Sequence, residues 1–581
     1  MIILGISCFF HDAAACILKD GVLIAAAEEE RFTRKKHDKG FPENAIKYCL
    51  QETGVSINEV DYVGFYEKPL IKLERLLYQQ LECFPKSFVT FFKSMPEFMN
   101  NKLRIPSLLK KKFKYKGKVI FSQHHMSHAA SSYLVSSFKE SAILTVDGVG
   151  EWATTTYGFG KENKIELFKE IKFPHSLGLL YSTITAYLGF SVNNSEYKVM
   201  GLTPYGDPKY VEKFRQMVEV ADDGSYKMNM EYFTYHYKDR MPSEKLCELF
   251  GGPVRKSEGD PLTQRHKDIA ASLQVFLEET MVKMLNYLHK ETKSDNLCMA
   301  GGVALNSVFN GKIFDKTPFK NVFIQPAAGD SGGAVGVAFY IYNCVLGNER
   351  KYVWHTNYLG PGYSTDEIKK YLDSNGIVYT KFKSDSELIK KTAKLLLDDN
   401  VVGWFQGRME WGPRALGSRS ILSNASNPDM KEILNSKVKH REQFRPFAPV
   451  VTCEDAKKYF EFPKGVNEEP YMLFVYPIKK EWHKKIPSVT HVDGSGRVQT
   501  ITKEQNKLYH GVIKEFGNLT GIPILINTSF NIRGEPIVCN YKDAYKCMMG
   551  TGIDYLVLDR FLIKRSENPK DMWDSEGLAK D

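Results

Sequence analysis

The chain has 581 residues, of which 43% are hydrophobic and 25% charged, and it carries a net charge of +10. That length is too great for a single core, so two or more domains are expected, with the composition of an ordinary globular protein. The charge is mild for the length: it suits an anionic substrate such as a nucleotide and argues against a nucleic-acid partner, which would call for a long basic stripe.

No apolar run approaches the length that spans a bilayer. Residues 1–7 lack a basic n-region and read as a strand, not a signal peptide. Ten cysteines are scattered without a C-x-x-C pair, several of them (Cys8, Cys16, Cys298) in apolar runs. Buried thiols in a reducing cytoplasm are expected.

In chain order, residues 1–31 read as strand, turn, strand, hairpin, strand. Residues 2–9 are apolar, His11-Asp12 marks a turn, 13–18 are apolar, Lys19-Asp20-Gly21 is a hairpin signal and 22–27 return. A basic loop, Arg34-Lys35-Lys36-His37, leads to an amphipathic helix over 42–52 and a strand over 62–66. Residues 67–118 differ in character. Leu73, Leu76, Leu77 and Leu81, then Phe84, Phe88, Phe91, Phe92 and Met95, form helical apolar stripes. They predict a helical insertion whose aromatics pack together or wall an acceptor pocket. Lys110-Lys111-Lys112 reads as a solvated face.

A short apolar run at 119–121 then meets Q-H-H-M-S-H-A at 123–129, a strand running into a helix. His124 and His128 are four apart and share one helix face. Two imidazoles at that spacing can hold one metal ion. No Glu follows the first His, so a zinc-protease mechanism is not supported. Taken alone, such a pair is more often two surface histidines on a capped helix; the residues that follow shift the balance.

Residues 142–150 end in Asp147-Gly148-Val149-Gly150, and two more strands joined by a turn at 160–163 follow. This repeats the order of residues 1–31. A duplicated unit with a D-G-x-G turn resembles the actin- and hexokinase-type ATPase superfamily. Gly148 and Gly150 let backbone N–H groups approach a phosphate, and Asp147 can position a metal or water. Two further strand–Gly–helix junctions carry Gly301, Gly302 and Asn306, and then Gly329-Asp330-Ser331-Gly332-Gly333. Each sets Gly-rich backbone at a helix N-terminus, a natural anion site, and Asp330 is a candidate third metal ligand. Periodicity lapses over 345–362, where the domain boundary is expected.

The remainder carries polar motifs of another kind. Arg408, Glu410, Arg414 and Arg419 crowd a Gly-rich turn, Lys439, Arg441 and Arg445 form a second basic cluster, and Arg497 lies in a third polar loop. Asn527, Ser529 and Asn531 leave an apolar strand. Arg forks and Lys suit phosphate. Some of these Arg are expected in structural salt bridges, but their interleaving with Phe-Ala-Pro and Gly-Pro favours a semi-buried anion pocket.

Assembled, the motifs HDAA, AEEERFTRKKHD, HHMSHA, VDGVGEW, AGGVALN, PAAGDSGGA, GRMEWGPRALGSRSIL, KHREQFRPFAP, HVDGSGRVQT and NTSFN resemble the NodU/CmcH-type O-carbamoyltransferases over nearly the full length. The resemblance implies an α/β fold in two domains. Residues 1–350 would be an actin-like ATPase domain with a duplicated βββαβα unit, like the catalytic subunit of tRNA threonylcarbamoyl transferase, carrying the insertion at about 67–118. Residues 360–581 would be a YrdC-like α/β domain, with Lys439-x-Arg441 and Ser529-x-Asn531 matching its K-x-R and S-x-N signatures.

It implies, further, that the second domain makes carbamoyl-adenylate and pyrophosphate from carbamoyl phosphate and ATP. Arg414, Lys439, Arg441, Arg445 and Arg497 would surround the phosphates, and Asn527, Ser529 and Asn531 would hold the carbamoyl amide and ribose. The first domain would receive the adenylate on Asp147, Gly148, Gly150, Gly301, Gly302 and Asn306, with an iron(II)-type metal on His124, His128, Asp147 and Asp330 and magnesium accompanying ATP. An acceptor hydroxyl would then attack the carbamoyl carbon. His11 or Asp12 is the candidate for its deprotonation, and Lys36 the candidate for contacting the intermediate. The acceptor would be a sugar, glycan, lipo-oligosaccharide, antibiotic or other small-molecule alcohol, and a homodimer stays open. A tRNA-modifying threonylcarbamoyl-type transferase is the nearest rival. A small-molecule kinase of the actin-like superfamily would release ADP, not AMP, and would leave the second domain without work. A non-catalytic nucleotide module fits poorly with so many cationic and metal-type residues in Gly loops.

Overall fold

The computed structural model describes residues 1–568. Chain contacts divide it into two units: residues 1–29 with 37–354, and residues 30–36 with the chain from His355 onward.

In the first unit, near-continuous apolar runs make strands buried on both faces. Strands β1 (Ile2–Ser7), β2 (Ala14–Lys19), β3 (Val22–Glu28), β4 (Tyr62–Phe65) and β5 (Lys118–Phe121) form one sheet in the order β3-β2-β1-β4-β5. The hairpin strands pair antiparallel, and β1, β4 and β5 run parallel. A second sheet is built from β6 (Glu140–Val146), β7 (Ala153–Lys161), β8 (Lys164–Lys172), β9 (Asn296–Ala300) and β10 (Asn321–Ile324), in the order β8-β7-β6-β9-β10. Its pairings have the same senses. The expected duplication of strand order is therefore present strand for strand.

Three helices, α1 (Pro69–Glu82), α2 (Phe88–Asn100) and α3 (Ile105–Phe113), lie between β4 and β5. Helix α4 (His124–Tyr133) follows β5, and α5 (Gly332–Phe339) follows β10. Helices α4 and α5 cross at glycine: a Cβ on Gly336 would lie 1.8 Å from the Ser127 carbonyl oxygen, and one on Gly5 of β1 would lie 2.0 Å from that of Ala334. This close crossing holds the N-terminus of α4 and the turn before α5 beside the ends of the strands.

The second unit is an α/β layer around one eight-stranded sheet. Its order is 380–381, 561–564, 555–558, 402–405, 419–424, 524–529, 448–452 and 499–501. Helices Asp385–Leu397 and Lys507–Thr520 cover it through a core that includes Trp404, Leu422, Val512, Phe516 and Leu525. The short segment Glu30–Lys36 belongs to this unit, because Arg31 donates to the Gly412 carbonyl at 2.8 Å and Arg34 donates to those of Ile537 and Pro536. All ten cysteines are free thiols. No helix among the described residues is long and apolar enough to cross a membrane.

Candidate metal centre and anion pocket

His124 opens α4, and one helical turn brings His128 beneath it, with the two Nε2 atoms 3.0 Å apart. Asp147 leaves the end of β6 and sets Oδ2 3.0 Å from His124 Nε2 and 3.7 Å from His128 Nε2. Asp330, in the turn before α5, places Oδ1 3.6 and 3.5 Å from the same two atoms. All four side chains are buried, and their ligand atoms lie within 4.8 Å of one another. Both Asp330 oxygens are buried without a hydrogen-bond partner, a costly state for a carboxylate. A divalent cation would satisfy the four converging atoms together, and two imidazole nitrogens with two carboxylate oxygens suit a first-row metal. The residues fit such an ion.

The surroundings orient these ligands. Asp147 Oδ1 accepts the Gly302 N–H at 2.8 Å. Glu151 accepts the His124 backbone N–H at 3.0 Å and that of Lys68 at 2.7 Å. Burial disfavours charge on His128, but Asp147 and Asp330 outweigh it and lift the imidazole to about 9. Burial likewise opposes the charge on Asp147, yet His124 and His128 hold it well below the usual carboxylate range. His125, on the same helix, turns to Thr145 Oγ1 at 2.6 Å, and burial beside its neighbours pushes its pKa far down.

His11 and Asp12 adjoin this centre. His11 Nε2 is 3.9 Å from Asp330 Oδ2, and Nδ1 is 2.8 Å from Asp12 Oδ2. Asp12 Oδ1 meets His37 Nδ1 at 2.7 Å, and His37 Nε2 meets Asn194 Oδ1 at 2.8 Å. Asp12 and His37 both sit at positive φ, 51° and 54°, backbone strain that clusters at functional sites. Burial works against a proton on His11, but Asp330 and Asp12 raise it to about 10. Sequence reasoning missed His37 and Asn194; the only signal was the His-Asp pair at 37–38 in the basic loop.

Of the expected phosphate loops, Gly301 takes φ 94° and leaves no room for a Cβ, which would lie 2.2 Å from the Val146 carbonyl oxygen. A Cβ on Gly150 would lie 3.0 Å from His124, whereas Gly148 faces more open space. Asn306 caps a short helix by accepting the Phe309 N–H at 3.0 Å, and its amide pairs with that of Gln274.

In the second unit, buried Lys439 donates to Ser529 Oγ at 3.3 Å and to Asn531 Oδ1 at 2.9 Å. The K-x-R and S-x-N segments thus meet. Arg441 donates through Nε to Asn435 Oδ1 at 2.7 Å and lies 4.5 Å over the Phe447 ring. Arg445 is 3.5 Å from Glu442. Asn527 donates to Gln499 Oε1 at 2.7 Å and to the Ala415 carbonyl. Burial, then the nearby cations Arg441, Arg445 and Lys36, press Lys439 well below its usual range. Burial and Arg497 lower Arg414 to about 9, and burial and Arg445 lower Arg497 to about 10. Five cations therefore crowd one another, and Lys36 sits with them as a sixth. Arg419 and Arg408 play another part. Arg419 is fully buried and donates to the carbonyls of Gln406, Ser418, Pro361, Gly407 and Cys539; Arg408 donates to those of Gly360 and Leu359. Glu410 shapes the turn by accepting N–H groups of Leu416, Ser418 and Arg419 with one oxygen.

Residues 2–339 match the family model described as the carbamoyltransferase N-terminus, and 393–565 the one described as the carbamoyltransferase C-terminus. The chain is 46% identical to an uncharacterized protein of Synechocystis sp., with 98% of this chain and 97% of that one covered. It is 38% identical to nodulation protein NolNO of Sinorhizobium fredii, over 98% of this chain and 81% of the relative. Nodulation protein U of Sinorhizobium fredii is 28% identical, covering 90% and 93%. Both halves of the chain thus match as parts of one architecture, and the chain belongs to the carbamoyltransferase family.

Proposed function

We propose that the protein is an ATP-dependent O-carbamoyltransferase of the NodU/CmcH type. Residues 360–581, read as a YrdC-like domain, form carbamoyl-adenylate: water releases carbamate and orthophosphate from carbamoyl phosphate, and the carbamate oxygen attacks the α-phosphorus of magnesium ATP with loss of pyrophosphate. Residues 1–350 pass the carbamoyl group to a hydroxyl of a sugar or natural-product acceptor and release AMP.

The observation that carries this reading is the crowding of Lys36, Arg414, Lys439, Arg441, Arg445 and Arg497, in which burial and the neighbouring cations lower Lys439, Arg414 and Arg497. Such a cluster is stabilised by a ligand with several negative charges, as two phosphate-bearing substrates together provide. Lys439 and the arginines bind the phosphates and neutralise charge on the departing pyrophosphate. Asn527, Ser529 and Asn531 orient the carbamoyl amide and ribose by hydrogen bonds.

In the first unit, the Gly-rich turns at Gly148, Gly150, Gly301 and Gly302 receive the adenylate phosphate, with Asn306 and its Gln274 partner beneath them. His11, oriented through Nδ1 by Asp12, presents Nε2 to the acceptor hydroxyl and handles its proton. His124, His128, Asp147 and Asp330 would hold an iron(II)-type ion, which when bound supplies a Lewis acid for a phosphate or carbamoyl oxygen.

The test is product analysis by mass spectrometry. Purified protein receives ATP, magnesium, carbamoyl phosphate and iron(II), with and without a panel of sugars and alcohols. AMP, pyrophosphate and an acceptor heavier by one carbamoyl group are expected. ADP with a phosphorylated acceptor would replace this reading with a kinase, and turnover on tRNA alone would replace it with a nucleic-acid-modifying enzyme.

A further inference from the structure

A second group of buried charges lies in the first unit. Lys72 and Arg75 project from α1, and Lys102 from the turn before α3; each is 4–5% exposed. They surround one fully buried carboxylate, Glu67, with Lys72 Nζ at 2.7 Å and Lys102 Nζ at 2.6 Å. Both ammonium groups lie over the Phe10 ring, 5.1 and 5.8 Å from its centroid. The Phe10 ring lies 4.8 Å from that of His11.

Arg75 stacks its guanidinium 4.7 Å over the Phe173 ring, and its buried Nε has no hydrogen-bond partner. The carboxylates that act on it are Glu67, already shared by two lysines, and Glu151, which accepts the N–H groups of Lys68 and His124. Three buried cations thus share one dedicated carboxylate. Buried charge is costly unless paired, and an apolar side chain of similar size would serve packing as well. An orphaned guanidinium donor at such a place has a fork of N–H groups to offer an oxyanion.

We propose that Lys72, Arg75 and Lys102 form a subsite for an anionic oxygen group of the acceptor, a carboxylate, phosphate or sulfate, while His11 meets its reacting hydroxyl. The inference rests on the function proposed above, since it takes the acceptor hydroxyl to lie at His11. Phe10 and His11 are adjacent. An acceptor with its hydroxyl at His11 lays its next group on the Phe10 ring, and so against the two lysines, whose partner Glu67 also acts on Arg75. Glu67 pairs with both lysines and leaves the guanidinium fork to the ligand. The acceptor class is therefore a hydroxy acid, sugar acid or phosphosugar, not a neutral sugar. Burial lowers Arg75 to about 10 and Lys102 to about 8, shifts that a bound anion reverses.

Hydrogen exchange of the full chain tests binding without turnover. Exchange over residues 67–105 is followed with sulfate, acetate or AMP at rising concentration, and each variant's melting temperature is recorded. Sulfate or acetate is expected to slow exchange there, the better of the two naming the group. Arg75→Gln should weaken the effect about tenfold, the worth of one charge-assisted hydrogen bond, and Arg75→Lys should restore part of it. Glu67→Gln leaves the lysines without their carboxylate and should tighten anion binding; a purely structural cluster would lose stability there with no gain in binding. No slowing with either anion overturns the proposal, as does slowing by AMP alone, which would give the site to the nucleotide phosphate. In parallel, glucose, glucuronate and glucose 6-phosphate are compared as acceptors, alongside carbamoyl-phosphate-dependent exchange of pyrophosphate into ATP, which needs no acceptor. Exchange with no preference for the charged sugars sinks this inference alone. Absence of exchange sinks the function above and leaves the anion-binding result to be judged by itself.

Discussion

Replacing Asp330 by Asn tests whether the four-residue cluster holds a metal. The readout is the extra stability a divalent ion confers, so damage to the metal-free fold cancels. At a metal concentration one hundred times the dissociation constant, a single site stabilises the folded state by about 2.7 kcal/mol. Asp330 supplies one of four converging ligands, and its oxygens have no hydrogen-bond donor to retain them elsewhere. A hundredfold loss of affinity would leave about 0.4 kcal/mol at the same metal concentration. Guanidinium unfolding with and without iron(II) under argon, then with manganese(II), measures both increments. His128→Ala should behave alike. His125→Ala is the control: it lies on the same helix but turns to Thr145, so its increment should match the parent. If Asp330→Asn and His128→Ala keep the full metal increment, or if His125→Ala loses it, the four residues are not the site.

Other outcomes follow from the second unit and the helix crossing. Burial lifts the Glu469 carboxyl to about 8, from an ordinary 4.5. Its folded pKa is raised, so the stability it lends is complete below pH ~4.5 and is lost as pH rises through about 8, with an upper bound of about 5 kcal/mol. Glu469→Gln should flatten that slope in denaturant titrations between pH 5 and 9, and an unchanged slope would show the acid titrates normally. Lys439→Met should cut carbamoyl-phosphate-dependent AMP formation by about a hundredfold or more while leaving the metal increment intact; normal AMP formation would remove the lysine from the reaction. Gly336→Ala forces a Cβ to within 1.8 Å of the Ser127 carbonyl oxygen, so α4 and α5 must part. A loss of about 1–3 kcal/mol in the stability of the first unit is expected, and an unchanged melting temperature would mean the crossing tolerates the methyl group.

Much of the first unit was legible in the chain itself. Apolar runs such as 2–6 and 14–18, broken by Asp20-Gly21, specify strands and a tight hairpin by local rules. The same signals recur at 140–172, so the duplication of strand order appears before any contact is known. The i, i+4 spacing put His124 and His128 on one face because a helix turns every 3.6 residues. The order of the Gly loops and Arg clusters pointed to the carbamoyltransferase family, to which both family models assign the chain.

Tertiary structure decided which charges are buried and by what. Arg408, Arg414 and Arg419 look alike in GRMEWGPRALGSRS, yet Arg419 is spent on five backbone carbonyls, four of them from the segments at 361, 406–407 and 539, while Arg414 feels Arg497. The apolar stripes of residues 67–118 say nothing of Lys72, Arg75 and Lys102, which the folded chain buries around Glu67 and over or near Phe10. Glu30-Arg31 reads as the end of the first strand unit and Arg34–His37 as a basic loop, but Arg31 and Arg34 find their acceptors beyond residue 410, in the second unit. The physical reason is the same in each case. Periodicity reports neighbours within a turn or a hairpin, whereas the burial of a charge is set by partners that only the folded chain brings near.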